Sequence, residues 1–261
     1  MNDLSHRLER ELVIRAERAT VFSFLTDPER FARWWGAGSS IDARVGGAVR
    51  IVYPGGVVAE GAVLELEPPV RIAFSYGYAS GQPVPSGSTR VTLTFEEVAG
   101  GTRVRLVHDF ADATTRDLHV PGWRHQLARF AGVACDAQHA HLAARCDAWF
   151  AAWNEADASA RDARLAEATV EGIEFRDAFG CVAGRAELAA HMAAARQHMP
   201  GMHLERDGAP RQVQGRALVG WRVPGPDGGA VARGTNALEL APDGRLAVVT
   251  GFWDAVPGAR G

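Results

Sequence analysis

The 261-residue chain contains no lysine; all 28 of its basic residues are arginine. A catalytic Schiff base needs a side-chain amine, so that chemistry is excluded. Cysteine is scarce, with only Cys135, Cys146 and Cys181. Their odd number and wide spacing give neither a disulfide framework nor a zinc-ligand pattern, and they predict a reducing, cytoplasmic setting. No stretch reaches 18 uninterrupted apolar residues, so no membrane span is expected. The residues after Met1 lack the apolar core of a secretory signal. The 28 basic residues stand against 31 acidic ones, for a net charge of -3, with no dense basic patch to hold nucleic acid. A His-Glu-x-x-His motif, a phosphate-binding Gly-rich loop and a nucleophile elbow are all missing. His139 and His141 stand two residues apart, not at the four-residue spacing of a helical metal pair. Neither a metal nor a cofactor is expected.

What the chain does have is apolar bulk, 47% of its residues, and a length that suits two modest domains. The first half opens on a strand at Glu11–Arg15. Two short helices follow, the second introduced by Asp27 and Pro28, which suit a cap and a first helical position. Alternating apolar residues then mark strands: Val49, Ile51 and Tyr53; Val91, Leu93 and Phe95; Val104, Leu106, His108 and Phe110. Gly and Pro turns separate them, which predicts an antiparallel sheet with one buried face. A closing helix is expected to start at Pro121, with Trp123, Leu127, Phe130 and Ala134 as its stripe.

The run from Val21 to Trp35, with Asp27-Pro28-Glu29 and Trp34-Trp35, resembles the START-like superfamily in its Hsp90-ATPase-activator-homologue branch. Gly46-Gly47, Glu60-Gly61, Pro68-Pro69 with Arg71, and Gly122-Trp123 extend the likeness over about residues 8–135. It implies a helix-grip domain over 1–135 with a cavity for a hydrophobic small molecule. Candidate lining residues are Trp35, Tyr53, Phe74, Tyr76, Phe95, His108, Trp123 and Leu127.

Past residue 136, Leu142, Cys146, Trp149, Phe150 and Trp153 keep a helical spacing, and no Gly- or Pro-rich linker intervenes. A strand at Val170–Phe175, a helix after Gly184 and long strands at Arg211–Val223, Ala230–Leu240 and Arg245–Trp253 follow. This order, with Ala148 to Asn154, Phe175-Arg176-Asp177, Gly184 to Leu188 and Thr250 to Trp253, resembles the SnoaL-like branch of the NTF2-like superfamily. The expected whole is therefore α+β: a helix-grip domain, then a cone-shaped α+β barrel over 136–261.

Asp177 continues the phase of Ile173 and Phe175 beyond their strand, so its carboxylate is expected to face the cone interior. A desolvated Asp can act as a base toward an acidic C–H. The resemblance to ketosteroid-isomerase-like members implies the same role. In it, Trp149 stands where that pattern has a tyrosine, and Asn236 where it has a protonated aspartic acid. Both remain hydrogen-bond donors.

Three functions compete at this level. They are cofactor-free binding of a small hydrophobic or amphipathic molecule, an isomerase, cyclase or dehydratase using Asp177 as general base, and a chaperone-related protein interaction. A homodimer through the second domain's sheet is expected, because Val219, Trp221 and Val223 alternate with Leu218, putting apolar residues in both phases.

Overall fold

The computed structural model describes residues 4–254 and divides the chain into two units, 1–138 and 139–261. Both are α+β.

The first unit runs β1 (His6–Ile14), α1 (Arg18–Ser23), α2 (Pro28–Trp35), β2 (Ser40–Ile41), β3 (Ala48–Val52), β4 (Val58–Glu67), β5 (Arg71–Tyr76), β6 (Thr89–Val98), β7 (Gly101–Phe110) and α3 (Ala113–Gln138). Its seven strands pair antiparallel in the order β1-β7-β6-β5-β4-β3-β2. The α2 helix forms where Asp27 accepts from the amides of Glu29 (2.9 Å) and Arg30 (3.2 Å), with Pro28 in its first turn. Phe31, Trp34 and Trp35 on that helix are all buried. Trp34 donates its indole N–H to the Phe24 carbonyl (3.0 Å) and lies 4.8 Å from the Phe130 ring of α3. Such aromatic contacts, added to the burial of large rings, fix the long helix over the sheet.

Helix α3 starts earlier than the sequence suggests. Asp112 takes the Thr115 amide (2.8 Å) and hydroxyl (2.8 Å), which caps the helix eight residues ahead of Pro121. Pro121 lies inside the helix.

The second unit runs α4 (Leu142–Asn154), α5 (Ala158–Ala168), β8 (Thr169–Arg176), β9 (Cys181–Ala183), α6 (Arg185–His198), β10 (Glu205–Val213), β11 (Arg216–Pro224), β12 (Ala230–Leu240) and β13 (Leu246–Trp253). The strand order is β10-β11-β12-β13-β8-β9, and β13 pairs with β8 in parallel. Among the described residues no strand joins the edges β10 and β9, so the sheet itself stays open and the expected cone has helices, not strands, against it. Helix α4 packs on β10, while α6 packs on β8 and β9.

The expected single strand at Arg211–Val223 is two strands. Gln214 (φ 50°) and Gly215 (φ 77°) both take left-handed backbone conformations, the requirement of a tight hairpin between β10 and β11. Asn154, the last residue of α4, ties the helices to the sheet. Its amide donates to the Leu204 carbonyl (2.8 Å) and accepts from the Leu204 N–H (2.8 Å). Its own carbonyl takes Arg196 of α6 at 2.7 Å.

Candidate functional site

The second unit encloses a cavity of about 440 Å³ between its helices and the inner face of the sheet. Trp149, Asp177 and Asn236 all line it, so the structure brings these three sequence-predicted residues to one space. Each arrives from a different element. Ile173 and Phe175 are buried on β8, and Asp177, just past the strand, continues their side. Asn236 is buried on β12, in phase with Leu238 and Leu240. Trp149 comes from α4 and is 1% exposed.

Gly251 controls the floor. It pairs with Asn236 across the β12–β13 ladder. A Cβ placed there would lie 3.2 Å from the Asp177 Cβ and 3.3 Å from Asn236 Oδ1. The two polar side chains thus flank a position with no side chain of its own. A polar ligand group can settle in that gap.

The carboxylate of Asp177 has a structural duty as well. Its Oδ1 accepts from the amides of Phe179 (2.8 Å) and Gly180 (2.9 Å), which holds the turn after β8. Its Oδ2 has only the Trp253 indole N–H, at a long 3.5 Å. Arg176 turns instead to Glu174 at 2.8 Å. The Trp149 indole N–H is buried with no partner, a costly condition for a polar group.

Aromatic walls surround these groups. Trp253 meets Phe179 (5.2 Å, 86°) and Trp221 (4.7 Å, 76°) edge to face. Phe175 lies 5.9 Å from Trp149 and 5.5 Å from Trp153. Gly234 admits this packing, since a Cβ there would stand 2.4 Å from the Trp221 ring. From α6, His191 and His198 also line the cavity, the first pressed against Gly180, where a Cβ would lie 2.5 Å from its ring. Sequence reasoning missed these histidines, and it missed Trp221 and Trp253 as wall residues. Alternation put Trp221 in phase with Val219 and Val223, but only the fold shows that this face borders a cavity. Cys181 is exposed on β9 and stands outside the lining.

In the first unit, a recess of about 250 Å³ is lined by Trp35, Tyr53, Tyr76, Tyr78, His119 and Trp123, with neighbouring residues of α3. Of the eight candidates there, Phe74, Phe95, His108 and Leu127 are instead buried in the core and do not border the recess. The Tyr53 and Tyr76 hydroxyls bond each other at 2.9 Å, and burial pushes both phenols upward in pKa, which keeps them protonated.

His108 anchors a buried relay. Its Nδ1 accepts from the Trp123 indole N–H (2.9 Å), so the neutral ring carries its proton on Nε2. That N–H donates to the Thr89 hydroxyl (2.8 Å), which in turn donates to the Tyr76 carbonyl (2.8 Å). Burial first, and His119 second, hold its pKa well below the ordinary histidine value.

Among the described residues no group of His, Cys, Asp and Glu side chains is arranged to hold a metal ion, and no helix is long and apolar enough to cross a membrane.

Comparison with known proteins divides the chain in the same way. Residues 15–134 match the family described as Activator of Hsp90 ATPase homolog 1-like protein, and residues 146–249 match the SnoaL-like domain. A crystal structure of a SnoaL-like family protein from Agrobacterium tumefaciens is 33% identical over 46% of this chain and 99% of its own, with a TM-score of 0.41. A solution structure of an AHSA1-like protein from Rhizobium etli is 34% identical over 49% of this chain and 81% of its own, with a TM-score of 0.41. No curated protein matches the chain.

Proposed function

We propose that this chain, which belongs to the Activator of Hsp90 ATPase homolog 1-like family through its first unit and to the SnoaL-like family through its second, binds a small hydrophobic or amphipathic molecule in the cavity of the second unit. The observation that carries this is the aromatic-walled cavity of about 440 Å³ with Asp177 and Asn236 flanking a bare glycine on its floor. Apolar walls with a few convergent polar groups are the usual make-up of a small-molecule site. The three unpaired cysteines, two of them buried, fit a cytoplasmic setting.

The direct test is titration with N-phenyl-1-naphthylamine, a neutral apolar fluorophore, compared between the native protein and Ala195→Trp. Ala195 lines the cavity from α6. An indole there is expected to weaken binding at least ~10-fold by filling the space. Unchanged affinity in a folded A195W protein, or no binding by the native one, defeats the reading.

A second reading draws on the convergence of Asp177, Trp149 and Asn236. It is a cofactor-independent isomerase, cyclase or dehydratase. Asp177 would take a proton from a C–H beside a carbonyl, and the indole N–H of Trp149 and the amide of Asn236 would donate to the oxyanion that develops.

The homodimer belongs to the same proposal. Val213 (73% exposed), Leu218 (43%) and Phe252 (57%) put apolar surface on the outer face of the second unit's sheet. Light scattering at micromolar concentration is expected to return twice the chain mass, and the mass of one chain alone would rule the dimer out.

A further inference from the structure

We infer that the cavity of the second unit selects an organic cation, an apolar molecule carrying a protonated or quaternary amine. This rests on the binding function proposed above and names the ligand class of that same site. Three observations point to it.

The first is the inventory of charge. The chain has 28 arginines, yet among the described residues none lines this cavity, and there its one formally charged side chain is Asp177. Arg176, next to Asp177, pairs with Glu174, and Arg196 of α6 donates to the Asn154 carbonyl. A ligand carboxylate entering here would meet Asp177 with no guanidinium to receive it.

The second is the unequal treatment of the two carboxylate oxygens. Oδ1 is fully engaged by two turn amides, whereas Oδ2 holds only the long contact to Trp253. A carboxylate has about four acceptor positions, so one remains for a ligand donor. A neutral, aprotic ligand that displaced water from Oδ2 would leave it undercompensated. An ammonium group supplies both the charge and the N–H.

The third is the arrangement of rings beside that oxygen. Trp253, which touches Oδ2, stands nearly perpendicular to both Phe179 and Trp221. Trp253 gives Oδ2 its N–H edge, so the cation is assigned to the π-faces of the two perpendicular neighbours, Phe179 and Trp221. A cation within about 6 Å of such faces is attracted to each ring quadrupole. Met199, Met202 and Leu204 complete the apolar remainder, where the hydrocarbon body of the ligand would lie.

The test is competition against N-phenyl-1-naphthylamine by three ligands of one shape: 2-naphthylmethylammonium, 2-naphthylmethanol and 2-naphthoate. It is run at pH 8, above the ordinary histidine range, to keep imidazole charge on α6 out of the comparison. The ammonium ligand is expected to bind at least ~10-fold tighter than the alcohol, and the carboxylate to bind weakest. Equal affinity of alcohol and ammonium, or tighter binding of the carboxylate, overturns the inference and leaves the binding function standing. A protein that binds none of the four compounds overturns both.

Discussion

Asp177→Asn is expected to weaken the binding of 2-naphthylmethylammonium by ~100-fold while leaving N-phenyl-1-naphthylamine affinity nearly unchanged. The substitution keeps the shape and keeps an oxygen for the amides of Phe179 and Gly180, so the turn after β8 survives. What it removes is the charge, and it presents an N–H where Oδ2 now accepts from Trp253. Asp177→Ala separates the two duties. It removes the oxygen that holds the turn as well, and is expected to cost about 1–2 kcal/mol of stability, against less than ~1 kcal/mol for the amide. If the cavity also performs proton abstraction, turnover in D177N falls ~100-fold or more, because an amide is no base. A D177N protein that loses several degrees of thermal stability yet binds the cationic ligand normally would make Asp177 a structural turn residue, and both functional readings of it would be wrong.

Lowering the pH from 7 to 5 is expected to take about 2 kcal/mol of stability from the first unit, mostly through His108. The ring is fully buried and its Nδ1 already receives the Trp123 N–H, so a second ring proton has nowhere to go. Its folded-state pKa therefore lies well below the unfolded value of 6.5. At pH 7 the ring is neutral in both states and pH costs nothing. As the pH falls through 6.5, the unfolded chain takes up a proton that the folded chain refuses, and stability drops by up to ~1.4 kcal/mol per pH unit. His119, whose pKa burial also lowers, adds a loss of the same sign. Urea unfolding at the two pH values, followed by tryptophan fluorescence, measures this. In His108→Gln, where the amide can accept from Trp123 and donate to Thr89, the acid loss should shrink to what the other groups contribute. Equal losses in the native and H108Q proteins would show that His108 is not the source.

The two-unit plan was legible because each half carries its own complete order of elements. Asp177 was legible because a period of two, begun at Ile173 and Phe175, runs one step past the end of β8. The same rule failed for depth. Phase puts Phe74, Phe95 and His108 on the inner side of the first sheet, but whether an inner side chain borders a recess or fills the core depends on what α3 sets against it. Pro121 misled because a proline favours a first turn, while the capping Asp112 lay in a stretch with no apolar period to announce it. The hairpin at Gln214-Gly215 escaped notice because glutamine seldom accepts a positive φ, which left Gly215 as its single turn signal. The wall histidines of α6 had no local signal at all. They reach the cavity only because α6 packs against β8 and β9, far along the chain from α4.

The paired hydrogen bonds between Asn154 and Leu204 make one backbone amide a gauge of the whole chamber. Leu204 lines the cavity, and its N–H is held by a side chain from the end of α4 rather than by a neighbouring strand. Deuterium can replace that hydrogen only when the helix end and the wall part company. Exchange at Leu204 therefore times the opening of the chamber itself, separately from the slower exchange of amides locked in the β11–β12 ladder. An occupant that bridges helix and sheet should slow this one site more than the ladder around it.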